Sequence, residues 1–264
     1  MSEFRRRLLV QSKNDNPILD NYLTIVALED GLTAKLSLNA CEYCVDGNGN
    51  WKSLPADTET EAVNSGQTLS FRANLIPTSS DGIGTFTVNR YFKLKGNCMS
   101  LLFGDEAKDK FSLDGYNYAI RRLFLGNTKL IDASELVLQA TKLSDYCYWD
   151  SFANCTSLVK PPILPATIIS PYCYFGMFTG CTSLTASPEL PATKLANSCY
   201  GNMFMRCQKL NYIKMMATDI SAISCLSNWV NGVASSGTFV KNKYATWNVG
   251  GASGIPSGWE VKTE

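Results

Sequence analysis

Cys147-Tyr148-Trp149-Asp150-Ser151-Phe152-Ala153-Asn154-Cys155-Thr156-Ser157-Leu158 recurs 26 residues later as Cys173-Tyr174-Phe175-Gly176-Met177-Phe178-Thr179-Gly180-Cys181-Thr182-Ser183-Leu184. A third copy follows at the same interval: Cys199-Tyr200-Gly201-Asn202-Met203-Phe204-Met205-Arg206-Cys207-Gln208-Lys209-Leu210. Cys225 continues the series, with Trp229 where Met203 stood. A second signature falls between the copies: Leu138-Gln139-Ala140-Thr141, Leu164-Pro165-Ala166-Thr167, Leu190-Pro191-Ala192-Thr193 and Met215-Met216-Ala217-Thr218. A worn copy precedes them, with Phe124, Asn127 and Leu130 set 28 residues before Phe152, Cys155 and Leu158. A fixed period of this length implies a solenoid, in which each coil buries its apolar side only against its neighbours.

Within a unit, Tyr148, Phe152 and Cys155 are spaced four and three apart, as are Tyr174, Phe178, Cys181 and Tyr200, Phe204, Cys207. That spacing predicts a short helix or helical turn facing the core. Asn154 and Gly180, each before the second cysteine, suit a left-handed stop. Leu158-Val159-Lys160 and Leu210-Asn211-Tyr212-Ile213 then read as short extended stretches, which would stack into a narrow parallel sheet at about 4.8 Å per coil. Pro161, Pro162, Pro165, Pro188 and Pro191 are expected on the turn side, where no ladder donor is needed.

Residues one period apart lie above one another, so Cys147, Cys173, Cys199 and Cys225 form one column and Cys155, Cys181 and Cys207 another. The simplest reading is a structural ladder of buried thiols packed as small apolar residues beside Phe152, Phe178 and Phe204. Disulfides would require suitable geometry between adjacent coils. A metal cluster would lack both histidine and a paired CxxC ligand set.

Residues 22–97 carry no 26-residue echo and read as short β runs. These are 22–28, 32–38, 41–45, 51–54, 68–73, 84–88 and 91–94, a spacing that predicts a small antiparallel, immunoglobulin-like sandwich with Trp51 as a buried anchor. Asp46-Gly47-Asn48-Gly49-Asn50 is expected to be a hairpin turn; it resembles a calcium loop only faintly, since Trp51 stands where that loop needs glycine. Cys41 and Cys44 sit in a strand-like run, where positions three apart face opposite ways. Gly82-Ile83-Gly84 lacks the third glycine and following helix of a nucleotide loop.

Composition closes off several functions. The 264 residues are 45% hydrophobic and 18% charged, enough apolar material to bury a core. A net charge of +1 gives no basic field for nucleic acid. The chain has no histidine, which excludes Ser-His-Asp and Cys-His nucleophiles, HExxH zinc sites and Cys2His2 fingers. No GxSxG or GxxxxGK[ST] motif occurs, no carboxylate pair recurs with the repeat, and no cofactor is expected. The start, Met1-Ser2-Glu3-Phe4-Arg5-Arg6-Arg7-Leu8-Leu9-Val10, is too short in apolar residues for an export signal, and no run is long enough to span a bilayer. Arg5-Arg6-Arg7 is the one basic run. It reads as a solvated arm or as an anchoring peptide, Phe4 to Arg7, that folds onto a partner assembly.

The units Cys-Tyr-x-x-Met-Phe-x-x-Cys-Thr-Ser-Leu and Leu-Pro-Ala-Thr, as at 173–184 and 190–193, resemble the leucine-rich repeats of the BspA-like surface-protein group over about residues 116–235. The whole arrangement is similar to proteins encoded by Bacteroides phages and prophages. The similarity lies in the Phe4-Arg5-Arg6-Arg7-Leu8 start, the sandwich, the Asn97-Cys98-Met99-Ser100-Leu101-Leu102-Phe103-Gly104-Asp105 junction, the repeats and the Gly254-Ile255-Pro256-Ser257-Gly258-Trp259 end. It implies virion or surface attachment, without known chemistry. Gln139 and Met216 depart from it by replacing the repeat proline.

Inward positions barely change between copies, whereas Trp149/Phe175/Gly201, Asp150/Gly176/Asn202, Ala153/Thr179/Met205 and Asn154/Gly180/Arg206 vary. Variation inside one chain marks a face that stacking does not require, and Trp149, Phe175, Met205 and Arg206 are its candidate binding residues. The expected fold is β-rich α+β. It comprises a basic arm at 1–20, an immunoglobulin-like sandwich at 21–97, a leucine-rich repeat solenoid of 26-residue coils at 98–235 and a cap at 236–264. The expected function is non-enzymatic: a phage head-decoration, fibre or tail-associated component, made in the host cytoplasm. A Bacteroides cell-surface adhesin or glycan-binding accessory module is the alternative. Expected partners are other virion or surface-assembly proteins, then a host-surface protein or glycan, or a second copy of the chain. Nucleic acid and membrane insertion are not expected.

Overall fold

The seven apolar runs of the first hundred residues form strands: β1 Leu23–Ala27, β2 Ala34–Leu36, β3 Cys41–Val45, β4 Lys52–Leu54, β5 Thr68–Arg72, β6 Phe86–Val88 and β7 Phe92–Asn97. Alternation explains them: β6 buries Phe86 and Val88 and exposes Thr87, and β7 buries Phe92 and Leu94 around exposed Lys93. The molecule is seen in a computed structural model that describes residues 21–77 and 79–264; the arm expected at Phe4, Arg5, Arg6 and Arg7 lies outside the described residues.

β1 is central, antiparallel to β5 on one side and β7 on the other, and β3 joins β5 to β4. β2 and β6 form a separate antiparallel pair. The Asp46 carboxylate is committed to its turn, accepting from the Thr68 N–H and the Gln67 side-chain amide, both at 2.8 Å. Trp51 is not the core anchor expected of it. It is half-buried at the surface, where the Arg72 guanidinium lies 4.2 Å from its ring and Tyr22 meets it edge-on.

β8, Leu130–Val137, pairs in parallel with β7, from Phe92↔Leu130 to Asn97↔Val137. One sheet, in the order β4-β3-β5-β1-β7-β8, therefore runs from the N-terminal strands into the repeats. Against β8 the next unit forms isolated bridges, Asp132↔Lys160 and Val137↔Ile163, in place of a strand, because Pro161 and Pro162 between them offer no N–H. Full strands resume at β9 Ala186–Leu190, β10 Tyr212–Met215, β11 Thr238–Lys241 and β12 Glu260–Thr263, all parallel, in the order β12-β11-β10-β9. The parallel ladder thus continues through the segment assigned to a cap. Pro188 is a correction: it lies inside β9, opposite a register shift between Tyr212 and Lys214, where the ladder accommodates its missing donor.

The short helix or helical turn expected at Tyr148, Phe152 and Cys155 is also a correction: the segment is neither. Residues 145–154, 171–180 and 197–206 are consecutive turns. Their N–H groups alternate in partner. Tyr148, Asp150, Phe152 and Asn154 donate to Cys173, Phe175, Met177 and Thr179 of the next unit. Trp149, Ser151, Ala153 and Cys155 donate three residues back, within their own. Every fourth residue has positive φ, as in Tyr146, Asp150, Asn154 and in Tyr172, Gly176, Gly180. A helix would consume every N–H internally and tolerates no left-handed residue; here half the donors tie one unit to the next. Four-residue turns still return Tyr148 and Phe152 to the same inward side, which is why the spacing mimics a helix.

A single hydrophobic cluster extends from Leu23 to Trp259. Its spine is a phenylalanine column: Phe124, Phe152, Phe178 and Phe204 stack at 5.6–5.7 Å. Phe86, on β6 in the segment without repeats, stacks on Phe124 at 5.7 Å and so supplies the first ring of that column. Tyr148, Tyr174 and Tyr200 form a second column, and both reach Trp229 at the distal end. The indole N–H groups of Trp229, Trp247 and Trp259 donate at 2.8 Å to the carbonyls of Gly254, Ala217 and Ala234, fastening the last units together.

Candidate interaction surface

All ten cysteines are buried and free. Those of the second column have a directed role: the thiols of Cys155, Cys181 and Cys207 donate to the carbonyls of Phe124, Phe152 and Phe178, one unit back, at 3.0–3.1 Å. Asn127 holds the equivalent place in the worn copy and extends the rule. Its amide donates to the Phe86 carbonyl at 2.8 Å, and its Oδ1 accepts from the Val88 N–H at 3.1 Å, locking the repeats to β6. Burial pushes the Cys155 and Cys207 thiols up to about 12. Burial, then neighbouring thiols, raises Cys173 and Cys181 as well. These sulfurs are poor nucleophiles, and the donors of Cys155, Cys181 and Cys207 are already used. Among the described residues, no group of three or more His, Cys, Asp or Glu could hold a metal ion, and no helix is long and apolar enough to cross a membrane.

The turn face carries the candidate residues. Tyr118, Tyr146 and Tyr172 occupy left-handed positions in successive units, with φ of 60°, 60° and 56°. That backbone costs roughly 1–2 kcal/mol for a residue with a Cβ. The side chains compensate by stacking at 4.8 and 4.9 Å, with rings within 14° of parallel. Trp149 packs beside Tyr146 at 5.4 Å and meets Phe175 edge-on at 5.3 Å. The Arg121 guanidinium lies 4.3 Å from the Trp149 ring and donates to the Ser80 carbonyl. Arg122 approaches Asp150 at 3.7 Å. Burial raises the Asp150 carboxyl, with Arg122 and Arg121 opposing the rise. Burial and then the adjacent Arg122 lower the Arg121 guanidinium.

Trp149 and Phe175 are therefore half-buried, supported by one another rather than standing free. The variation between copies is coupled: a Cβ at Gly201 would come within 2.7 Å of the Phe175 ring, so Phe175 lies where it does because position 201 is glycine. Ala153 is only 3% exposed, so it does not belong to a free face. Met205 is half-buried and Arg206 exposed. No hydrogen bond, ion pair or ring contact among the described residues joins them to the aromatic patch.

Sequence reasoning missed Tyr118, Tyr146, Tyr172, Arg121 and Arg122. Tyr146 and Tyr172 each precede the first cysteine of a unit, so the same 26-residue comparison contained the signal. Chemically, the patch presents ring edges, tyrosine hydroxyls and two arginines around one carboxylate. That set makes contacts; it contains no nucleophile with a base. No protein-family model, curated protein or solved structure matches the chain.

Proposed function

We propose that the chain is a non-enzymatic interaction protein. In this reading an immunoglobulin-like sandwich at 21–97 leads into a leucine-rich repeat solenoid of the BspA-like kind at 98–235, closed by a cap at 236–264. The turn face of the solenoid binds another protein in a phage particle, as a head-decoration, fibre or tail-associated component. One observation carries the reading: five aromatic rings, Tyr118, Tyr146, Trp149, Tyr172 and Phe175, gather with Arg121 on the face that the inward columns leave free. Aromatic residues and arginine are the residue types that dominate binding energy at protein interfaces. The sequence resemblance to phage-encoded proteins supplies the setting.

Two measurements test this. A mass-spectrometric inventory of purified particles should contain the chain at stoichiometric level; its recovery in outer-membrane fractions instead would make it a surface adhesin. The double variant W149S/F175S should keep its fold by circular dichroism and lose at least about tenfold in affinity for its particle partner, the loss of roughly 1.4 kcal/mol or more expected for interface anchors. Unchanged binding by a folded double variant would remove the turn face from the account.

A further inference from the structure

Among the described residues, β12, at the end of the parallel sheet, pairs with β11 along one edge only. Its backbone orientation is fixed by the contacts it makes. The N–H groups of Glu260 and Glu264 donate to the Gly237 and Lys241 carbonyls, and the Glu264 carbonyl accepts from Lys243. In a parallel ladder the residues that bond a given neighbour alternate, so Glu260, Lys262 and Glu264 face β11. The N–H and C=O groups of Val261 and Thr263 point to the open edge. All four side chains of β12 are exposed, Val261 by 44%. An exposed edge of this kind is a template for another strand.

We propose that a second copy of this chain occupies that edge, β12 against β12 in antiparallel orientation about a two-fold axis centred on Val261. Val261 exchanges both backbone bonds with its counterpart. The Thr263 N–H meets the partner's Trp259 carbonyl, whose own N–H is turned inward to Pro256. The charges select this register: Glu260 falls opposite the partner's Lys262, and Lys262 opposite the partner's Glu260. In one protomer these two side chains already lie on the same side of the strand, 3.1 Å apart. A parallel, in-register pair would instead oppose Glu260 to Glu260 and Lys262 to Lys262, which is repulsive. The two four-stranded sheets then merge into one of eight.

Sedimentation velocity of the full chain over a concentration series tests this. The wild type should show a reversible monomer–dimer equilibrium. E260K makes both charged side chains of β12 positive and K262E makes both negative, so each variant alone should dimerise at least about tenfold more weakly. The double variant E260K/K262E should recover the wild-type dimer, and an equimolar mixture of the two single variants should form a heterodimer that neither forms alone. That last result cannot arise from misfolding. A wild type that stays monomeric at every concentration, or a dimer indifferent to E260K and to mixing, would overturn the proposal.

Discussion

Raising the pH above about 9 is expected to unfold the chain in one steep transition. The cause is the buried thiols. In the folded protein Cys155, Cys199 and Cys207 are raised by burial from 9.0 to about 12, and Cys147, Cys173 and Cys181 are raised as well. The unfolded chain ionises near the ordinary value, so above pH 9 the unfolded state releases protons that the native state still holds. The native state is the more protonated one, and stability falls as pH rises. This contribution is fully present below the unfolded value and is lost progressively toward the folded one. Each thiol contributes about 1.4 kcal/mol per pH unit in that window. Several such thiols acting together weigh against a typical domain stability of only roughly 5–15 kcal/mol. Circular dichroism should show loss of β signal within about one pH unit of pH 10, reversible on return to pH 8. The triple variant C155A/C181A/C207A removes three of these buried thiols and should lose stability with pH less steeply than the wild type. A chain whose stability is flat to pH 11 would show that these sulfurs are not buried as described.

The second large effect is expected at Phe178. Its ring is fully buried, stacked at 5.7 Å on both Phe152 and Phe204, and its carbonyl accepts the Cys207 thiol. Phe178→Ala removes the middle ring of the column and opens a cavity between units that the turn backbones hold apart. The cost should be about 3–5 kcal/mol in urea unfolding. Tyr244→Ala, at a side chain 73% exposed, is the control and should stay within about 0.5 kcal/mol. The shape of the transition matters as much as its midpoint. Since one sheet and one core join β7 to β8, Phe178→Ala should lower a single cooperative transition. Two separated transitions, with the N-terminal strands surviving the repeats, would mean that the β7–β8 seam does not couple them.

Legibility followed the kind of signal each region carries. The repeat was plain because stacking demands the same residue at the same depth in each unit, and Tyr148, Tyr174 and Tyr200 obey that demand. The seven N-terminal strands were legible either by alternation, as in β2, β6 and β7, or as short apolar runs buried on both faces, as in β1 and β5. The turns between Cys147 and Cys155 were not, because a four-residue turn ribbon and a helix both return side chains inward at similar spacing. Only the fate of the N–H groups separates them, and that is decided by the neighbouring unit. Phe86 was invisible as the first rung since it comes from a β-strand with no repeat around it. Trp51 misled because an aromatic in a strand run says nothing of which sheet face is covered; Arg72 and Tyr22 turned it into a surface contact. In the interaction surface, Trp149 and Phe175 were found by their variation, while the tyrosines supporting them were passed over because their own column changes only beyond Tyr172, at Ser198.

Thiol accessibility in the native protein probes the stacked register most directly. At pH 7.5, a small maleimide followed by peptide mass spectrometry should leave Cys147, Cys155, Cys173, Cys181, Cys199 and Cys207 unmodified in the folded chain, and modify all six once it is denatured. Stoichiometric native labelling of any of the six, or recovery of a disulfide-linked pair among them, would contradict a stack whose rungs are closed by those sulfurs.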